Sequence, residues 1–491
     1  MLICNLSGKK FNYEFEKLAR LFLPFERIDV VNEDISGERR AVCFESAVHG
    51  GTALTAQLEL DGRKAVESDL ISDADSEKEK ELKLSVCLFK CFVKITGYRP
   101  AWGILTGVRP ARLFSSLKET LGAEGAGQAF LNRYLVSEEK LRLCETATEN
   151  EQRIISLSTP DSFSLYISIP FCPTRCSYCS FVSHSVKDAA KLIPDYIEYL
   201  CRELRITGEI AKKNGLKLKT IYMGGGTPTS LTAGQLKTVF DAVKANFDTE
   251  GLLEYTVEAG RPDTVTEEKL LCIKQAGATR ISINPQTMCD SVLENIGRKH
   301  TAKQVTDAFY LARKCGFSNI NMDIIAGLPG DDAEGFRHTA DTLISFDPES
   351  ITVHALSVKR AADLAVSGEF PQFSAGNTAA EDISYAANTF RSAGYAPYYT
   401  YRQSKTVGNL ENVGYAKPGF EGLYNVYTMD ETHTILAAGA AAVTKLCAAD
   451  GKIIERIFNC KYPYEYISRF DEQIAKKGRV FEFYEENFGR D

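Results

Sequence analysis

The sequence predicts an α/β protein built on a parallel sheet, either doubly wound or a partial barrel. Three observations carry this. The chain has 491 residues, 44% hydrophobic and 25% charged, the balance of a soluble globular protein with ample core, so disorder is excluded. The run SLSTPDSF, Ser156 to Phe163, is small and polar with a proline and reads as a linker between two regions. After it, short apolar β-branched runs alternate with amphipathic helical segments, the pattern of parallel strands with crossover helices.

The elements follow in chain order. The first 150 residues read as a separate α/β region, with strand-like runs at Arg40–Ser46 and Leu54–Leu60 before a long helix over Ser76–Thr96. On that helix Leu84, Cys87, Leu88, Cys91, Phe92 and Ile95 make one buried stripe. Cys87 and Cys91 stand one turn apart and could share a metal. Their apolar neighbours and the lack of a third ligand nearby point to core instead. The loop WGILTGVRPARL, Trp102 to Leu113, discloses no chemistry. Beyond the linker the expected strands are Leu165–Ile169, Thr220–Met223, Leu253–Val257, Thr279–Ile283, Ile320–Ile325 and Ser350–Val353. Between them the expected helices are Asp195–Lys212, Ala233–Asn246, Glu267–Gln275, Ala302–Cys315 and Asp332–Ser345.

Charge and composition narrow the function. The 58 basic and 65 acidic residues leave −7, which argues against a generic polyanion binder and hence against nucleic acid. The longest apolar run, Ile435–Val443, is too short to span a bilayer. The start MLICNLSGKK lacks the order of a signal peptide. The fourteen cysteines are therefore expected to be reduced thiols in a cytoplasmic protein.

Working residues of such folds sit at the carboxyl ends of the strands. After the first strand comes PFCPTRCSYCSF, with Cys172, Cys176 and Cys179 within eight residues. Three thiolates on a tight loop suit an iron–sulfur cube that keeps one iron open. After the second strand come Gly224, Gly225, Gly226 and Thr227, where a ligand can approach the backbone closely. The third strand ends in Glu258, the fourth runs into Asn284-Pro285-Gln286, the fifth carries Asp323 and the sixth ends at His354. Polar groups at all six ends point to one shared site.

These blocks resemble the radical S-adenosylmethionine superfamily, and within it the oxygen-independent coproporphyrinogen III oxidase/dehydrogenase family. SLYISIPFC, YMGGGTPT, YTVEAGRPD, RISINPQT and NMDIIAGLP match that family in order, over about residues 160–460. The N-terminal extension, VHALSVKR and GNLENVGY most resemble its Gram-positive coproporphyrinogen dehydrogenase branch. The resemblance implies a partial (β/α)6 TIM-like barrel over 160–360, an N-terminal α/β domain over 1–150, and a C-terminal α+β extension over 361–491 that covers the substrate. It implies that Cys172, Cys176 and Cys179 hold a [4Fe–4S] cluster, whose open iron is chelated by S-adenosyl-L-methionine and whose electron cleaves it to a 5′-deoxyadenosyl radical. Tyr166 would lie beside that cofactor and Tyr178 would back its adenine. Gly225, Gly226 and Thr227 would meet its amino-acid end, and Glu258, Gln286, Arg298, Asp323, Ala355 and Val443 match further binding positions. Tyr166 and Glu258 would also be the catalytic pair. The implied reaction converts two propionates of coproporphyrinogen III to vinyl groups in haem biosynthesis, with an external electron donor and acceptor. Lys359, Arg360, Arg402 and Lys405 are candidates to meet the substrate carboxylates.

Two departures stand out. Members with oxidase activity commonly place a fourth cysteine where this chain has Phe181. A related haem chaperone carries a His-Asn pair where this chain reads Gly408-Asn409, so a haem-carrier alternative loses its expected ligand. His184, His354 and His433 remain candidate haem ligands.

Overall fold

The computed structural model describes residues 1–8, 10–24, 26–49, 51–107, 109–179, 183–357, 373–403, 406–448 and 451–489. The chain divides into two compact units, residues 1–145 with 402–410, and residues 146–401 with 411–491.

In the first unit, β1 (Leu2–Leu6), β2 (Asp29–Val31), β3 (Arg40–Val48), β4 (Gly51–Leu60) and β5 (Arg63–Ile71) form one sheet in the order β2-β1-β3-β4-β5. Strand β1 runs parallel to both neighbours, and β3, β4 and β5 form antiparallel hairpins. The helix Glu77–Thr96 packs on the sheet. Ser76 caps it by accepting from the Glu79 N–H, and Gly97, at φ 71°, ends it. Its stripe joins Phe15, Phe22, Leu54, Ala56 and Leu58 in one apolar cluster, and Phe22 stacks on Phe92 with centroids 4.7 Å apart. Cys87 and Cys91 are buried there, and burial pushes both thiols up to about 12. They are inert core residues at neutral pH.

The second unit holds an eleven-stranded sheet. Its strands are β6 (Ser162–Ile169), β9 (Lys217–Gly225), β10 (Glu254–Glu258), β11 (Arg280–Ser282), β12 (Ile320–Ala326), β13 (Ser350–Ala355), β14 (Ala396–Arg402), β15 (Glu411–Ala416), β16 (Thr434–Ala438), β17 (Val443–Cys447) and β18 (Ile454–Phe458). The two-residue strands β7 (Phe171–Cys172) and β8 (His184–Ser185) pair separately. Strands β6, β9, β10, β11, β12 and β13 are parallel and lie side by side in chain order. Consecutive order marks a barrel; a doubly wound sheet reverses direction from its first strand. The fold is a partial (β/α)6 TIM-like barrel, with the expected strands in the expected places. Strand β16 adds a seventh parallel strand beside β6, with Ala437 opposite Tyr166.

The helices returning between strands are Ile193–Lys213, Ala233–Asn246, Glu267–Gln275, Ala302–Lys314 and Ala333–Phe346. Thr232 with Gln235 and Thr301 with Gln304 form reciprocal capping boxes, each satisfying two otherwise orphaned donors. The helix Leu423–Asp430 lies under the barrel. The Glu254 carboxylate, at the amino end of β10, accepts from the Leu423 and Tyr424 N–H groups at 2.7 and 3.3 Å. Tyr424 then stacks on Tyr222 at 4.5 Å and on Tyr166 at 6.1 Å. This segment of the C-terminal region therefore plugs the amino end of the barrel rather than its mouth. Among the described residues no helix is long and apolar enough to cross a membrane.

Candidate functional site

The cysteine loop leaves β6 at the carboxyl end of the sheet. Its path is fixed by backbone bonds to the glycine run, because Gly226 N–H donates to the Ile169 carbonyl at 2.8 Å and Thr227 N–H to the Phe171 carbonyl at 2.8 Å. A Cβ on Gly226 would stand 2.6 Å from the Phe171 oxygen and 2.9 Å from the Ile169 oxygen. Gly225 sits at φ 106°, where side chains are strained. The glycines are therefore required by the close passage of the loop over β9.

Cys172 Sγ lies 3.4 Å from Thr227 Oγ1. Cys176 is buried, Cys172 and Cys179 are half-buried, and all three are outside any disulfide. Cys179 N–H donates to the Cys176 carbonyl and Ser177 N–H to the Ile296 carbonyl, both at 3.0 Å. Among the described residues no three Cys, His, Asp or Glu side chains converge on a point that could hold a single metal ion. A cube makes a different demand, since each thiolate binds its own iron and the sulfurs stand further apart. Phe181 lies outside the described residues.

Around the loop the strand ends supply polar groups, half-buried at Tyr222, Glu258, Asp323 and His354 and buried at Gln286 and Arg298. Tyr222 Oη donates to Glu258 Oε1 at 2.5 Å. Burial pushes the Glu258 carboxyl up to about 7, against the downward pull of that hydroxyl. Asp323 stands two strands away. Burial alone raises its pKa, yet it is held below the usual carboxylate range by His354 and by Asn321, whose Nδ2 donates at 2.7 Å. His354 Nε2 lies 3.9 Å from Asp323 Oδ2, and its Nδ1 is 3.2 Å from Asn412 Oδ1. The Ala355 N–H donates to that same Asn412 oxygen at 3.1 Å.

Gln286 is the least expected conformer. Its backbone is left-handed, at φ 69°, and is clamped to β12 by bonds to Asp323 O at 2.9 Å and from Ile325 N at 3.0 Å. Its buried Oε1 has no hydrogen-bond partner, which leaves an acceptor available to a ligand at a left-handed backbone. Arg298 is buried, donates to the Asn284 and Gly260 carbonyls at 2.6 and 3.4 Å, and stands near Tyr178 and Cys176. Tyr178 is half-buried beside it, and desolvation raises its pKa. Val443 opens β17 directly after the turn from β16. Because β16 is parallel to β6, that turn falls at the mouth.

Other candidates are placed differently. Arg402 donates to the Leu105 and Asn409 carbonyls at 2.6 and 3.1 Å and lies over the Trp102 ring. It is a buried brace of the first unit, not a cation offered to a substrate carboxylate. Lys359, Arg360 and Lys405 lie outside the described residues. His433 is buried, bonded to Ser158 Oγ at 2.9 Å and stacked on Tyr427, and burial lowers it to about 4; it is a core histidine. His184 pairs opposite Phe171 in register and its ring meets Tyr462 edge-on. Sequence reasoning passed over Tyr222 and Arg261, although both stand inside quoted blocks. Tyr222, two residues before the glycine run, faces the same side of β9 as Gly224, and that alternation was the available signal.

Comparison with known proteins agrees with this geometry. The radical SAM superfamily profile matches residues 166–343. Over 433 residues the chain is 37% identical to the oxygen-independent coproporphyrinogen-III oxidase-like protein HemZ of Bacillus subtilis (strain 168), covering 86% of each. The chain belongs to this oxygen-independent coproporphyrinogen-III oxidase-like family of radical SAM proteins. It is also 41% identical over 197 residues to the heme chaperone HemW of Bacillus subtilis (strain 168), covering 40% of this chain and 51% of that one. Its fold matches that of Escherichia coli coproporphyrinogen III oxidase HemN with a TM-score of 0.51, 20% identity, and 67% and 73% of the two chains covered.

Radical SAM proteins of this family use a [4Fe–4S] cluster and S-adenosyl-L-methionine. The residues present fit both groups. Three cysteines outside any disulfide share one backbone-fixed loop, and the orphaned Gln286 oxygen and the Glu258 and Asp323 carboxylates line the same strand ends. Carboxylates suit a sulfonium and an ammonium group, and donors fixed in advance lower the cost of binding.

Proposed function

We propose that this chain decarboxylates two propionate side chains of coproporphyrinogen III to vinyl groups without oxygen, giving protoporphyrinogen IX. The observation that carries the reading is convergence: the thiol loop, the glycine run and the polar group Glu258, Asp323 and Gln286 occupy the carboxyl ends of one parallel sheet. Cys172, Cys176 and Cys179 are the cluster ligands. When bound, the cluster and S-adenosyl-L-methionine supply a low-potential electron and a carbon radical able to abstract hydrogen. Gly225, Gly226 and Thr227 admit the amino-acid end of the cofactor, and Tyr178 flanks its adenine. Glu258, Gln286 and Asp323 bind its polar groups, Arg298 orders the loop wall, and Ala355 and Val443 complete the rim. Tyr166, beside the stacked pair Tyr222 and Tyr424, holds the floor beneath the reacting atoms. Residues 361–491 cover the substrate through segments other than Leu423–Asp430. An external one-electron donor and acceptor complete the reaction.

A haem-carrier reading draws support from the similarity to HemW, but Gly408 replaces its expected histidine and His433 is occupied in the core. Titration of the full chain with haem distinguishes the two. We expect no stoichiometric Soret shift that depends on His184 or His354. Tight haem binding lost in H354A, with no turnover of coproporphyrinogen III, would establish the carrier instead.

A further inference from the structure

Beside the cysteine loop stands a guanidinium to which no role has been assigned. Arg261 is 2% exposed. Asp263 holds it from one side, with Nε to Oδ1 at 3.0 Å and Nη2 to Oδ2 at 3.1 Å. The opposite edge reaches the cysteine loop: Nη1 donates to the Thr174 carbonyl at 3.2 Å, both terminal nitrogens lie 3.2 Å from Thr174 Oγ1, and Nη1 is 4.0 Å from Cys176 Sγ. Thr174 Oγ1 in turn donates to the Gly297 carbonyl at 3.3 Å. Its buried neighbour His300 adds no charge, because burial, reinforced by Arg298 and Arg261, pushes its pKa down to about 3. The bidentate clamp leaves Arg261 no freedom to swing away.

We propose that Arg261 is a positioning residue whose fixed positive charge at Cys176 raises the reduction potential of the cluster. The proposal rests on the assignment of Cys176 as a ligand. One-electron reduction, with the electron taken from the external donor, adds a negative charge to the cluster. A nearby cation, and an N–H aimed at a ligand sulfur, both favour the reduced form. Burial keeps solvent from screening that charge. Asp263 offsets it in part, so the two residues pull the potential in opposite directions.

The test is a redox titration, followed by electron paramagnetic resonance, of the anaerobically reconstituted full chain and two variants. With iron content unchanged, R261Q is expected to lower the equilibrium constant for reduction at least tenfold, about 59 mV to the negative. D263N, which removes the compensating charge, is expected to move the midpoint to the positive. A purely structural brace predicts neither sign. Unchanged midpoints in both variants, or shifts of the same sign, overturn the proposal. Should R261Q fail to retain iron, the sign of the D263N shift decides alone. Retention of a full cluster by C176A would remove the ligand assignment itself and is scored separately. Absence of decarboxylated product with the two opposite shifts present leaves this inference standing.

Discussion

Glu258 concentrates the chemistry at the scale of single residues. Its carboxyl is raised from 4.5 to about 7 by burial, a cost of about 3 kcal/mol for the ionised form at roughly 1.4 kcal/mol per pKa unit. The sign follows from the raised value: this contribution to stability is full below pH 4.5 and is lost as pH rises through about 7. In protein stripped of cofactor, E258Q should therefore melt at a higher temperature than wild type at pH 8, with little difference at pH 5, and should bind S-adenosyl-L-methionine poorly. Equal melting temperatures at pH 8 would contradict the burial argument. Replacing Cys176 with alanine should abolish the visible absorbance of the reconstituted cluster, and a retained spectrum would refute its role as ligand. The thiol spacing and Glu258 were legible in the sequence because each chemistry declares itself by residue type at a strand end. The left-handed backbone of Gln286 was not, since no local pattern encodes a bridge to Asp323 and Ile325. Arg402 was misread for the complementary reason: a sequence shows a cation's charge but not the carbonyls that occupy it.

At the scale of elements, alternation made the barrel readable. Six apolar runs predicted β6, β9, β10, β11, β12 and β13, because buried parallel strands are nearly continuous in Val and Ile. The crossing between the cysteine loop and β9 is a tightly constrained junction. G226A must displace backbone, since the added carbon would stand 2.6 Å from the Phe171 oxygen. We expect about 1–3 kcal/mol of destabilisation and a lowered iron content after reconstitution; full iron with unchanged denaturant midpoint would contradict the packing described. The plug beneath the barrel was not legible, because Leu423–Asp430 is a short helix whose docking depends on Glu254, far away in sequence. Y424A removes a ring stacked on Tyr222 and should cost about 3–5 kcal/mol, read as a fall in denaturant midpoint at unchanged slope.

For the whole molecule, the sequence divided where composition shifted, near the SLSTPDSF linker, and the structure places the unit boundary at residue 145 with 402–410 returning to the first unit. That return was invisible because Arg402 meets Leu105 and Trp102, which are distant from it in sequence. The central claim belongs to the complete chain: the cluster, the cofactor pocket and the substrate must act together. The most direct measurement is anaerobic incubation of the reconstituted full chain with coproporphyrinogen III labelled in its propionate carboxyls, S-adenosyl-L-methionine and a low-potential reductant. The account predicts release of two labelled carbon dioxide molecules per tetrapyrrole, one S-adenosyl-L-methionine consumed for each, and protoporphyrinogen IX as product. Cleavage of S-adenosyl-L-methionine by an intact cluster, with every propionate retained, would contradict it.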